Sequence, residues 1–136
     1  MSSYYQLTRK VDRQIDFINL TGSAIPEGTA CSTDSANPPT LNRLGGIKPT
    51  TDDTSFVGVT TAAVPNGATC QLQVEGIAIG LAGADLTYGT HVALMSDSSG
   101  NIVPRTSKKA MAGILLRSAV SGDQCQFFIS RGPNAV

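Results

Sequence analysis

The chain has 136 residues, ten Lys and Arg against ten Asp and Glu, one His, three Cys and no Trp. That length fits a single domain, and Leu, Ile, Val and Phe, 32 of the residues, suffice for a core. The balanced charge, without a basic face or interleaved aromatics, argues against direct nucleic-acid binding; no apolar run approaches the ~20 residues that cross a bilayer, so no membrane partner is expected.

Residues 1–21 contain neither Gly nor Pro. Leu7, Val11, Ile15 and Ile18 have helical spacing, whereas Ile15, Phe17 and Asn19 read as one face of a strand. The favoured reading is an arm up to about Lys10 followed by a strand. Residues 32–53, with Asn37-Pro38-Pro39-Thr40 and Gly45-Gly46, read as a long surface loop holding at most a short strand. Strands are predicted over Phe56–Thr61 and Thr69–Glu75, the second continuing to Leu81. In Thr69–Glu75, Cys70, Leu72 and Val74 alternate with Gln71, Gln73 and Glu75, the period-2 pattern of a half-buried strand with its glutamines outward. Further strands are predicted over His91–Met95, Met111–Leu116 and Gln124–Ser130. Turns separate them at Pro65-Asn66-Gly67, Ser98-Ser99-Gly100-Asn101 and Ser121-Gly122-Asp123.

Helices have little room. After Gly22 the longest stretch free of Gly and Pro is Thr90–Ser99, shorter than the ~11–12 residues of an average helix. The chain also repeats itself. An offset of 55 places Gly58 on Gly113, Gly67 on Gly122, Cys70 on Cys125, Gln71 on Gln126 and Leu72 on Phe127. Gly28-Thr29 echoes Gly89-Thr90 at an offset of 61. Two similar β-units packed into one body are therefore expected, with Cys70 and Cys125 at equivalent core positions.

No arrangement of residues carries a recognisable chemistry. GxSxG and GK[ST] are absent, and Gly45-Gly46-Ile47-Lys48-Pro49 lacks the phosphate-loop pattern. His91 has no orienting partner at a fixed spacing, so a structural role outweighs a general base. Asp52-Asp53 reads as a solvated turn, Ser107-Lys108-Lys109 as a solvated loop, and Asp97–Asn101 as a hairpin turn without a calcium-loop ligand series. Cys31, Cys70 and Cys125 form no CxxC pair and read as small core residues. The expectation is no catalytic residue, no cofactor and no metal.

The order Gly28-Thr29, Phe56-Val57-Gly58-Val59, Pro65-Asn66-Gly67, Val74-Glu75-Gly76-Ile77, Leu86–Val92, Met111-Ala112-Gly113-Ile114, and Gly122 before Cys125–Ser130 resembles tailed-phage capsid decoration (cement) proteins over roughly residues 22–131. The fold expected is all-β: a compact sandwich or barrel-like (β-tulip-type) domain of two similar β-units, residues 14–136, preceded by an N-terminal arm, residues 1–13. The resemblance implies a structural virion protein on the outer capsid surface that cements major capsid protein subunits. Assembly is expected in the host cytoplasm, with the protein as a homotrimer and a dimer as the alternative. It assigns the capsid contact to the arm, with Tyr4, Tyr5, Leu7 and Val11 as apolar anchors and Arg9, Lys10 and Arg13 as charged contacts. The competing reading is a receptor- or glycan-binding head-fibre or spike module, for which Tyr88 would be a stacking residue.

Overall fold

A computed structural model of the chain describes residues 7–50, 56–106 and 111–130, and among them there are nine strands and no helix. They are β1 (Lys10–Asn19), β2 (Ala30–Thr33), β3 (Gly46–Pro49), β4 (Gly58–Thr60), β5 (Thr69–Leu81), β6 (Ala93–Ser96), β7 (Ile102–Pro104), β8 (Gly113–Leu115) and β9 (Gln124–Ile129). The fold is all-β, as the frequent Gly and Pro require. The strands predicted after residue 55 are present: β5 has the predicted ends, β6 is shifted to Ala93–Ser96, and β4, β8 and β9 are shorter than expected. β2 and β7, three or four residues long, went unpredicted as separate elements, and β3 is a short strand of the kind allowed within loop 32–53.

All nine strands join one sheet in the order β1-β3-β2-β4-β5-β9-β8-β6-β7, and β1 also pairs with β5. That extra pairing closes β1, β3, β2, β4 and the first half of β5 into a five-stranded ring. A second ring runs through the other half of β5, then β9, β8, β6 and β7, and a parallel bridge from Ala82 to Ile102 closes it. β5 thus ends one ring and begins the next.

The two rings share one register. Ile15 pairs with Leu72 and Phe17 with Cys70 in the first; Ala78 pairs with Phe127 and Gly80 with Cys125 in the second. Val59 opposite Gln73 matches Ile114 opposite Phe128, and Cys31 opposite Pro49 matches Leu94 opposite Pro104. The parallel pair Asn19–Ile47 matches Ala82–Ile102. The offset is therefore 63 along the first two strands, 61 at the turn between them, where the Ile25–Val64 bridge matches Leu86–Ala119, and 55 after the second-strand loop. Thirteen residues separate Thr33 from its partner Ile47 and five separate Ser96 from Ile102, so the first unit carries an insertion of eight.

Each ring has its own core. Ile25, Cys31, Ile47, Val64 and Leu72 fill the first, with Phe17 and Cys70 packed against them. Leu86, Leu94, Ile102, Cys125 and Phe127 occupy the matching places in the larger second cluster. Volume is exchanged between positions: Phe17 and Leu72 stand in the first unit where Gly80 and Phe127 stand in the second. A side chain at Gly80 would meet Ile102 at 2.9 Å and Phe127 at 3.2 Å, so the larger Phe127 requires the smaller Gly80.

The join between the units lies at Gly76. Its φ of 110° suits glycine, and a Cβ there would run into the Lys10 carbonyl of β1. β1 answers with register shifts between Val11 and Gln14. The bulge corrects one expectation: Gln73 is fully buried instead of facing solvent. Its Nε2 lies 3.1–3.2 Å from the carbonyls of Lys10, Glu75 and Ile77, three acceptors served by two protons. A buried amide donor serves these carbonyls where an aliphatic side chain could not.

Candidate docking surfaces

The expected contact residues of the arm fall into three groups. Tyr4 and Tyr5 lie outside the described residues. Leu7 is half-buried at the point where the chain meets the body, and the carbonyl of Thr8 next to it accepts a hydrogen bond from Gln126 Nε2 of β9 at 2.9 Å. Arg9 Nη2 pairs with Glu27 at 3.1 Å, so this arginine is engaged within the body. Lys10, Val11 and Arg13 belong to β1, where Lys10 and Arg13 reach Asp12 and Glu75 only at 3.8 Å on an exposed surface. Such exposed pairs contribute about 0–1 kcal/mol at most and leave the charges available to a partner.

The arm root emerges beside apolar surface. Leu116, whose N–H donates to the Gln126 carbonyl at 3.1 Å, is itself exposed, and so is Phe128 on β9. Phe128 borders a groove of about 330 Å³ with Asp12, Val74, Glu75, Gly76 and Ile129. An aromatic ring, an aliphatic side chain and two carboxylates therefore surround the place where the arm leaves the sheet. Sequence periodicity did not reveal Phe128, because alternation puts Phe127 inward but cannot say whether the opposite face is covered.

Other exposed apolar zones are present among the described residues. The insertion in the first unit folds back as a braced finger: Thr40 bridges Arg43, Arg43 Nη2 donates to the Pro38 carbonyl at 2.8 Å, and Asp34 accepts from Ala36 N and Asn37 Nδ2. Leu41 at its tip is 103% exposed. A groove of about 610 Å³ lies between this finger and Asp16–Phe17 of β1. The second zone is on the second unit, where Tyr88, Val92 and Val120 are exposed. Leu41, Leu44, Val92 and Val120 carried no sequence signal, since isolated apolar residues in turn segments look alike whether covered or not.

The residues weighed for chemistry have structural surroundings. His91 Nδ1 accepts from Thr87 N at 3.0 Å and closes its own turn. Asp97 Oδ1 accepts from Ser99 N and Asn101 N, the side-chain-capped hairpin turn expected there. Cys31 and Cys125 are buried, and burial pushes both thiols up to about 12, which keeps them protonated and inert at neutral pH. Cys70 is half-buried, its thiol raised by burial and by the nearby Asp16 carboxylate. Among the described residues no three His, Cys, Asp or Glu side chains gather as a metal site. Asp52, Asp53, Ser107, Lys108 and Lys109 lie outside the described residues.

Comparison with known proteins bears on these surfaces. A sequence family described as phage cement protein matches residues 10–131, from the first residue of β1 to just beyond β9. No curated protein matches. Among solved structures, the N base of the head fibre gp8.5 of bacteriophage phi29 is similar, with a TM-score of 0.67, 17% identity, and coverage of 87% of this chain and 95% of that one. At that identity the likeness is one of fold.

Proposed function

The chain belongs to the phage cement protein family, and from that premise we propose that it is a structural virion protein that binds the outer surface of a phage head and ties neighbouring major capsid protein subunits together. The observation that carries this reading is the extent of the family match, which takes in both rings and every strand. A body of two packed rings is suited to the task. Its exposed apolar side chains lie on strands β1 and β9 and on turns, where a partner surface can reach them.

Residues 1–9 precede the matched region and form the element through which this chain reaches its shell. The pinned root at Thr8 and Arg9 fixes where the arm departs, and Leu116 and Phe128 beside it extend the contact onto the body. Tyr4, Tyr5 and Leu7 supply apolar anchors ahead of that root. Many modest contacts of this kind act together on an icosahedral shell, because each bound copy touches several subunits and self-association adds avidity. A homotrimer at threefold positions fits this arrangement.

Co-sedimentation with heads lacking the protein tests the reading. The full chain is expected in the head pellet, and a chain lacking residues 2–7 is expected to bind at least tenfold more weakly while keeping its β circular dichroism. Equal pelleting of both chains would remove the arm from the contact. A full chain that stays in the supernatant would remove the capsid reading.

A further inference from the structure

Within one molecule, the outer face of the first unit is covered by the second. Ala30, Phe56 and Val59 point away from their own ring and join the core of the other. The turn between β6 and β7 sits on the same face: Ala30 N donates to the Gly100 carbonyl at 2.8 Å, and Thr50 Oγ1 donates to the Asp97 carbonyl at 3.2 Å. β5 also approaches, so that a side chain at Gly28 would meet the Ile79 carbonyl at 3.2 Å.

The second unit has the same face, and nothing among the described residues covers it. Ala93, Met111 and Ile114 stand where Ala30, Phe56 and Val59 stand, still apolar, but each partly exposed. Gly89, the counterpart of Gly28, has no atom within 4 Å of where its side chain would be. Val92 is 52% exposed where its counterpart Thr29 is 4%. The apolar character of the face has been kept while its cover is absent.

The cover also has its counterpart. In the second unit it consists of Ile79–Gly80 and the turn 97–101; the matching parts of the first unit are Asp16–Phe17 and the braced finger. These are the walls of the open groove of about 610 Å³, which Leu44 also lines. Both halves of one repeated interface are thus present on the molecule, and both are open.

We propose that the exposed face of the second unit, around Gly89, Val92, Met111 and Ile114, docks a second copy of this chain, which seats its finger-and-β1 groove there and continues the packing found between the two units. The contact joins unlike surfaces, so copies add head to tail and stop growing only where the rotation closes a ring. This inference rests on the chain's likeness to itself and stands apart from capsid binding.

Light scattering or sedimentation on the full chain, without capsids, tests it. The wild type is expected at a multiple of the 14.1 kDa chain mass. Val92→Asp and Leu44→Asp, both at exposed positions and checked by circular dichroism, are each expected to fall to the monomer. Because each variant keeps the half that the other lacks, mixing them is expected to restore a dimer and nothing larger. A wild type that stays monomeric at high concentration would overturn the proposal, as would an assembly that neither substitution changes or a mixture that stays monomeric. Failure of head binding with the assembly intact would count against the capsid reading alone.

Discussion

Gly58 and Gly113 are counterparts, and each lies flat against the carbonyl of a facing strand, Gln73 in one unit and Phe128 in the other. These carbonyls are themselves 55 residues apart, so the same close approach was built twice. No side chain fits there without moving a strand, and Gly58→Ala and Gly113→Ala are each expected to cost about 1–3 kcal/mol or more. Gly67 and Gly122 are different: they have positive φ in turns, with open space around them. Alanine there is expected to cost only about 1 kcal/mol, the strain of the left-handed backbone. Urea unfolding of the four variants checks this order, and equal losses at all four sites would contradict it. The glycine echo was visible in the sequence, but its cause was not, since the obstructing atoms are carbonyls on another strand.

Among the elements, β1 shows most clearly what could and could not be read. Strand spacing at Ile15, Phe17 and Asn19 was legible, and so was a start near Lys10. Its role was not, because nothing local shows that β1 pairs with β3 in parallel and with β5 antiparallel and so closes the first ring. The first four residues of the strand therefore belong to the body as well as to the expected arm. Removing residues 2–13 takes away the partners of Glu75, Gly76 and Ile77 and the Lys10 carbonyl that Gln73 serves. A loss of roughly 2–4 kcal/mol in unfolding free energy is expected, about 1 kcal/mol per lost hydrogen bond plus exposed core, whereas removing residues 2–7 should leave stability nearly unchanged. Equal stability of the two truncations would show that β1 does not need its first turn of pairing. β2 and β7 escaped prediction, and β3 was allowed only as an unplaced short strand in the loop, for a related reason. Each is too short to show a period, and Thr33, Pro49 and Pro104 at their ends look like loop residues until a neighbouring strand pairs with them.

At the scale of the whole molecule, the fold class and the duplication were legible because Gly, Pro and short apolar alternation leave few other folds open. The docking surfaces were legible only in part. Exposure at Phe128, Val92 and Leu41 depends on whether another element covers them, and coverage is a property of the assembled rings. Gln73 shows the reverse case, a polar residue on the expected solvent face that is fully buried. The duplicated body, the pinned arm root and the family membership together describe a protein that works by surface contact. Electron cryomicroscopy of heads incubated with the full chain tests that description most directly. Density for the two-ring body is expected on the outside of the shell where capsid subunits meet, with the arm root turned toward them; a saturated sample whose shell exterior shows no such density would contradict it.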